Sequence, residues 1–394
     1  MIEPIESDMP NLRPDGPRPT GAAHVLELID RSGLRGRGGA GFPTGRKWRA
    51  VAERSQGHAV VVANGVEADP WSAKDRHLMT GYPDLVLDGA AIAAESVGAR
   101  EVVVAVSRRF TDARAVLAAA IQRRRDPIAV RVVDAPSRYV AGEESAVIHF
   151  INRGVALPTG SAPRPFERGV GGRPTLVQNV ETLAWAGLIA RHGEAWFRSL
   201  GSPAQPGAVL CTVAGAVHRP GVVELPSSAT VGDTLAAAGG ASSPPQALLA
   251  GGFFGTWLDP ADARTIGEGG GMLLALPATS CGLAETARML DILARESAHQ
   301  CGPCFNGLPA LANVMTRVAF SRPSEAEVQR LHRWAGQLGG NRGACHHPNG
   351  AVGLLLSALR TFDYDLRWHL ARGACAGSGR PSLLPPIAVG EGWR

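Results

Sequence analysis

Two clusters in this 394-residue sequence hold the residue types that chemistry needs. The first is Gly33-Leu34-Arg35-Gly36-Arg37-Gly38-Gly39-Ala40-Gly41-Phe42-Pro43-Thr44-Gly45-Arg46-Lys47-Trp48, with five glycines in its first nine residues. Backbone without side chains lets N–H groups approach an anionic, planar ligand closely. Arg35, Arg37, Arg46 and Lys47 supply charge for a phosphate. The second cluster is Cys301-Gly302-Pro303-Cys304, with Cys345 41 residues beyond Cys304. Thiolates so spaced ligate zinc or an iron–sulfur cluster.

Neither cluster is decisive alone. Gly36, Gly38 and Gly41 satisfy G-x-G-x-x-G, but a dinucleotide fingerprint needs a strand before it and a helix after it. Here a helical pattern precedes the loop, and Phe42-Pro43 interrupts any helix begun inside it. Three cysteines and a histidine would make a Cys₃His zinc site, whereas a [4Fe–4S] cluster needs a fourth ligand or leaves one iron to water. Cys375 and His299 rank first as that ligand, with His346 beside Cys345 as another possibility. Cys281 begins a helix ending near Ser297, about 24 Å away at 1.5 Å per residue, too far to share the site. Cys211 reads as a small buried hydrophobe.

The elements that must position these clusters follow from periodicity. Residues 1–19 are polar and Pro-rich, an expected flexible arm. Helical spacing over Gly21–Arg31, Leu85–Val97 and Ala113–Arg123 alternates with apolar runs at Val60–Ala63 and Val102–Val106, which implies an α/β domain over 20–200. After a linker at Gly201–Gly207, strands at Ala208–Val213 and Val222–Leu225, a short helix at Val231–Ala238 and two further strand-like runs outline a β-grasp module over 207–278. Leu283–Glu296, Leu308–Val318, Glu325–Leu338 and Gly350–Leu359 predict a four-helix bundle over 281–365. The Pro/Gly-rich tail over 373–394 is expected to be disordered.

Composition excludes several classes. The net charge of +5 has no basic block behind it beyond Arg123–Arg125 at a helix end, which argues against a nucleic-acid partner. The acidic, Pro-rich start does not resemble a secretory signal, and Gln246–Leu258, among the longest apolar stretches, is broken by glycine and too short to span a bilayer. A cytoplasmic protein without membrane insertion is expected. Six cysteines in a chain this long do not suggest a disulfide framework, and 49 glycines suggest many turns and close backbone approaches.

Taken in order, the motifs resemble the NADH-binding flavoprotein subunit of respiratory complex I and its relatives in NAD-linked hydrogenases and formate dehydrogenases. Gly33–Trp48 is similar to that family's FMN-binding loop, and Asn64-Gly65-Val66-Glu67-Ala68-Asp69-Pro70 with Lys74-Asp75-Arg76 to its acidic loop beside the flavin. Tyr139-Val140-Ala141-Gly142-Glu143-Glu144-Ser145 resembles its Tyr-x-x-Gly-Glu-Glu motif, and Gly172–Thr182 its second flavin segment. The segment from Gly207 resembles its ubiquitin-like β-grasp (SLBB-type) module. The helices carrying Cys301, Cys304 and Cys345 resemble its iron–sulfur bundle. Coverage runs from about residue 20 to 365.

The resemblance implies a fold of three parts, namely an α/β FMN-binding domain, a β-grasp module and a four-helix iron–sulfur bundle. It implies FMN contacts from Gly36, Arg37, Gly38, Gly39, Gly41, Lys47, Asn64, Tyr139, Gly142, Gln178, Asn179 and Thr182. Glu67, Asp69, Glu143 and Glu144 would line the nucleotide entrance, with Glu67, Asp69 and Glu144 at the catalytic centre. Phe42 and Phe166 would stack on NAD(P)H, and Cys301, Cys304 and Cys345 would hold a [4Fe–4S] cluster. The implied activity is that of an NAD(P)H dehydrogenase of diaphorase type. It would pass electrons to a ferredoxin-like or thioredoxin-like [2Fe–2S] protein within a larger redox complex. The pattern is departed from at Val66, where an acid is usual, at Asp69 for Glu, at Ala50 for an aromatic, and at Ala298 for the first cluster cysteine. The alternative is a cofactor-impaired homologue acting as an iron–sulfur scaffold or interaction subunit.

Overall fold

The computed structural model describes residues 9–13, 22–124, 126–160, 162–266, 271–384 and 392–394. The first domain runs α1 (Ala22–Ser32), α2 (Thr44–Ser55), β1 (Ala59–Gly65), α3 (Lys74–Gly81), α4 (Pro83–Val97), β2 (Ala99–Ser107), α5 (Thr111–Arg123), β3 (Ala129–Ala135), α6 (Glu144–Arg153), β4 (Thr175–Asn179) and α7 (Val180–Ser199). Its four strands are all parallel, in the order β3-β2-β1-β4. The valine runs of β1 and β2 are buried on both faces, as parallel strands between helical layers require. α4 starts with Pro83 and ends at Gly98 with φ of 66°, the usual chemistry at each end. It crosses α7 so closely that a β-carbon on Gly89 would lie 1.8 Å from the Leu183 carbonyl oxygen.

The strand order places a topological switch between β1 and β4, where Asn64 and Asn179 are register partners at the strands' C-terminal ends. Ligands of open parallel sheets bind at such a crevice. The residues singled out from sequence around Asn64 and Asn179 therefore sit where the topology opens.

The second domain holds β5 (Ala208–Gly215), β6 (Gly221–Pro226), α8 (Val231–Ala237), β7 (Pro245–Ala250), β8 (Thr256–Leu258) and β9 (Met272–Pro277). Its order, β6-β5-β9-β7-β8 with β5 and β9 parallel and the other pairs antiparallel, is the β-grasp arrangement. Thr230 and Asp233 form a capping box that starts α8.

The third domain is α9 (Gly282–Arg295), α10 (Leu308–Phe320), α11 (Glu325–Leu338), α12 (His347–Thr361) and α13 (Asp363–Arg372). The fifth helix was not expected from sequence because it buries little, chiefly Leu366 and His369.

Two expectations about the ends need correcting. Within the predicted arm, Met9 and Leu12 are buried and Asn11 Nδ2 donates to Glu224 Oε1; residues 1–8 and 14–19 of that arm lie outside the described residues. Within the predicted disordered tail, Leu383 and Leu384 pack on the bundle core, Trp71 Nε1 donates to the Leu383 carbonyl, and Trp393 lies 4.2 Å from the Arg138 guanidinium. Isolated apolar residues in a proline-rich stretch carry no period, so the sequence pattern could not show that they are buried. Among the described residues no helix is long and apolar enough to cross a membrane.

Candidate active site

The glycine-rich segment forms a closed loop ahead of α2. Gly36 N–H donates to the Phe42 carbonyl and Thr44 N–H to the Leu34 carbonyl, both at 2.9 Å, and Arg35 Nε caps the Gly41 carbonyl. A helix does follow directly, but α1 rather than a strand precedes it, so the loop is not a dinucleotide fingerprint. Gly38 packs on Asn179, with a β-carbon there only 3.2 Å from the Asn179 β-carbon. Gly39, at φ of 101°, has open space where a side chain would be, and Gly41 is also left-handed at 58°. Beneath Gly36 lies the buried Gln178 amide, whose Oε1 has no hydrogen-bond partner. A glycine cradle with an unsatisfied amide under it fits a planar, hydrogen-bonding flavin mononucleotide.

Lys47, on the first turn of α2, places its Nζ 2.7 Å from Glu144 Oε1, and both side chains remain about a third exposed. Phe42 is 50% exposed at the loop's end. These residues face solvent together with the cradle. Glu144 also borders a cavity of about 640 Å³ that reaches Arg153, Arg164, Arg168 and Cys345. No residue of the glycine loop lines that cavity, so it adjoins the cradle through Glu144 rather than containing it.

Other predicted contacts are turned inward. Arg37 is 4% exposed; its backbone N–H donates to Thr182 Oγ1 and its guanidinium to the Ala208 carbonyl and Ser227 Oγ. Asn64 Nδ2 donates to the Gly142 carbonyl, and Asn179 Nδ2 to Asp75 Oδ2 while its Oδ1 caps α7. Glu143 Oε2 caps α6 by accepting from Ser145 and Ala146. Tyr139 packs among Phe253, Phe254 and His347 where the three domains meet, and burial pushes its hydroxyl up. Phe166 lies under the Arg54 guanidinium, and Arg54 is ten residues along α2 from Thr44, about 15 Å away. Phe42 lies instead beside the Arg46 guanidinium, near the start of that helix.

The acidic loop is structural in its contacts. Glu67 is 6% exposed and accepts from Ser72 Oγ and the backbone N–H groups of Asp75 and Arg76. Asp69 accepts from the Trp71 and Phe253 N–H groups, tying the loop to the β-grasp module. Val66, at the usual acid's position, belongs to the core. Burial pushes Asp69 up to about 6 against its ordinary 3.8. The folded protein thus holds this proton more tightly than the unfolded chain. The resulting contribution is complete below pH 3.8 and lost as pH rises through 6, by up to about 3 kcal/mol, less where water reaches the half-buried side chain. Denaturation at pH 5 and pH 7 should show Asp69→Asn flattening this slope relative to wild type; an unchanged slope would contradict the assignment.

A feature that sequence reasoning passed over lies beside this loop. Lys74 Nζ is 2.6 Å from Asp75 Oδ1 and 2.9 Å from Glu181 Oε2, with all three side chains under a tenth exposed. Asp75 and Glu181 hold Lys74 as a cation against burial, which would otherwise lower it. The run Lys74-Asp75-Arg76 gave no sign that two of its members are buried, because alternating charges ordinarily mark a solvated helix face.

At the far side of Glu143 the cysteines converge. α9 ends at Arg295, and a π turn at Pro303–Gly307 carries Cys304 into the bundle. Such turns favour functional sites because the wider ring redirects side chains. Burial and then the neighbouring Cys301 push Cys304 up to about 12, and Cys345 adds to the effect. These three sulfurs do not all lie within 4.8 Å of one another, as ligands of a single zinc ion would. Three thiols that are near yet spread suit a cubane with thiolates on separate irons. Ser297, wholly buried, sets its side-chain oxygen against the Cys304 thiol and was not singled out from sequence. Cys375 is displaced to the opposite end of α9, where it bonds with His369 of α13. That helix is 14 residues, about 21 Å, long, so the tail cysteine cannot complete the cluster. His299 and His346 are exposed near the cysteines.

Comparison with known proteins follows the same order along the chain. Residues 29–186 match the Nuo51 FMN-binding domain, 210–252 the SLBB domain, and 284–369 the NADH-ubiquinone oxidoreductase-F iron–sulfur binding region. The NADH-quinone oxidoreductase F subunit of Mycobacterium bovis is 30% identical, over 91% of this chain and 87% of that protein. The corresponding F 2 subunit of Rhizobium meliloti is 27% identical over 89% and 90%. The NAD⁺-reducing [NiFe]-hydrogenase in its air-oxidized state superposes with a TM-score of 0.83 at 28% identity. That match covers 90% of this chain, which spans 64% of the hydrogenase chain. With its α/β, β-grasp and helical parts each matched in order, the chain belongs to the family of NADH-quinone oxidoreductase F subunits.

Proposed function

We propose that this chain is an electron-entry module, moving electrons between a nicotinamide nucleotide, FMN, a [4Fe–4S] cluster and an external protein partner. The observation that carries it is adjacency. Glu144 pairs with Lys47 beside the glycine cradle and also borders the cavity that reaches Cys345. Glu144 thus stands between the cradle and a cavity that a cluster cysteine lines, which puts the two groups on neighbouring ground as electron relay needs. FMN, when bound, supplies hydride acceptance with release of single electrons, which the cluster carries onward.

The chain's own groups bind and orient. Glu144 Oε1 pairs with Lys47 Nζ at 2.7 Å, fixing the position of the ammonium beside the cradle. Phe42 offers an exposed aromatic face for the nucleotide. Glu67 and Asp69 act at one remove, holding the loop over 65–76 in place. Gly36, Gly38, Gly39 and Gln178 form the cradle, and Cys301, Cys304 and Cys345 with Ser297 form the cluster site. The partner we propose is a [2Fe–2S] protein of ferredoxin-like or thioredoxin-like fold. Phe305, 63% exposed next to Cys304, gives it an apolar contact at the cluster's edge.

An anaerobic visible spectrum, repeated after NADH and then NADPH, tests the reading. Flavin bands should bleach over a broad iron–sulfur shoulder. Lys47→Ala or Glu144→Ala should weaken FMN retention about 10-fold, the loss of one favourable charge contact, with folding intact. Wild-type retention and bleaching in both variants would sink this pocket.

A further inference from the structure

Three ligand-bearing side chains from separate segments meet at the end of the bundle remote from Cys304. Cys281 is the N-cap residue of α9, His369 lies in the last turn of α13, and Cys375 follows that helix. Their ligand atoms all lie within 4.8 Å of one another, the one such group among the described residues. Cys281 Sγ is 3.8 Å from His369 Nε2. On tetrahedral zinc, with Zn–S about 2.3 Å and Zn–N about 2.0 Å, a sulfur and a nitrogen ligand stand about 3.5 Å apart. The site already has nearly that separation.

We propose that Cys281, His369 and Cys375 bind one zinc ion, which fastens the segment after α13 to the start of α9. The histidine is set up for it. His369 Nδ1 lies 2.8 Å from the Val318 carbonyl, an acceptor, so the proton belongs on Nδ1 and Nε2 keeps its lone pair. That lone pair now accepts the Cys375 backbone N–H at 3.1 Å, and zinc exchanges this bond for a metal–nitrogen bond. The chain beyond Cys375 is pressed onto the same place, since a β-carbon on Gly377 would fall 2.9 Å from the Ser280 carbonyl carbon. Ser378 Oγ, 3.6 Å from Cys375 Sγ and 3% exposed, stands next to the fourth position. Binding releases the two thiol protons to solvent, leaving two thiolates and a neutral imidazole on the ion. Cys281 and His369 are 1% and 0% exposed, so the role is structural, a clasp rather than a reacting centre.

The full-length protein, with its iron–sulfur site loaded, is incubated with Zn²⁺ or Co²⁺, desalted and analysed for metals. Wild type should retain about one zinc per chain, and cobalt should give tetrahedral visible bands with thiolate charge transfer. Cys281→Ser and His369→Gln should each lose zinc but keep iron, whereas Cys304→Ala should lose iron but keep zinc. Should Cys281→Ser fail to fold, Cys375→Ser at the half-buried position serves instead. The proposal is overturned if wild type retains neither metal, if zinc follows Cys304, or if mass analysis of the freshly purified protein without reductant shows Cys281 and Cys375 joined to each other.

Discussion

Cys304→Ala should abolish the iron–sulfur cluster, taking iron from about four atoms per chain to near zero and removing the broad visible absorption. The site has no spare thiolate. Ala298 stands where the family usually has its first cluster cysteine, and Cys375 is about 21 Å away, at the other end of α9. Cys304 is also the most buried of the three sulfurs, at 2% exposed, so solvent cannot substitute readily for it. Its raised thiol marks a site where thiolates need a cation to exist: without iron, burial and two neighbouring sulfurs keep the proton on. Flavin binding should survive, because Lys47 and the glycine cradle take no support from this turn. Ser297→Ala, by contrast, should leave most of the iron while shifting the cluster's spectrum, since Ser297 offers one oxygen beside three sulfurs. An unchanged visible spectrum in Cys304→Ala would remove it from the ligand set.

Much of this was legible beforehand, and the limits have physical reasons. The valine runs of β1 and β2 read as buried strands because a parallel strand is apolar on both faces. β3, whose charged Arg131 and Asp134 dilute the run and which is only partly buried, did not. α2 was hidden because Pro43 looked like a terminator, yet proline just ahead of a helix costs nothing where the first N–H groups have no partner anyway. At the site, glycines and cysteines declared themselves because few other roles demand them. Polar residues did not. Arg37, Asn64, Asn179 and Glu143 have the chemistry of ligand contacts but spend their hydrogen bonds on Ser227, Gly142, Asp75 and a helix end. Residue type sets what a side chain can bond, whereas only packing decides whether solvent or protein is its partner. The same ambiguity put Cys375 with the cluster, since ninety-four residues separate it from Cys281 and no pattern links them.

Lys74→Met should destabilise the protein by about 3–5 kcal/mol without removing any group proposed to touch flavin or nucleotide. Lys74 is the one cation between Asp75 and Glu181, and each of those carboxylates carries further load. Glu181 accepts from the Leu210 N–H and Trp185 Nε1, which joins α7 to β5 across the domain boundary, and Asp75 accepts from Asn179 Nδ2 at the head of α7. With Lys74 gone, two carboxylates remain buried with no counter-charge, and one must take up a proton. The loss should therefore depend on pH. It is smallest under acid conditions, where the stranded carboxyl is already protonated, and grows as pH rises and ionisation is forced on the interior. Urea denaturation of wild type and Lys74→Met at pH 5 and pH 8 measures this directly. A Lys74→Met, Asp75→Asn double variant should recover part of the loss at pH 8, since it removes one stranded charge while the amide still accepts from Asn179. Equal penalties at both pH values would place Lys74 in a packing role instead. The expected pattern makes the buried triad the reason a charged run sits in the core: it locks the loop over 65–76 to α7 and β5, and through them fixes Asn64 and Asn179 beneath the glycine cradle.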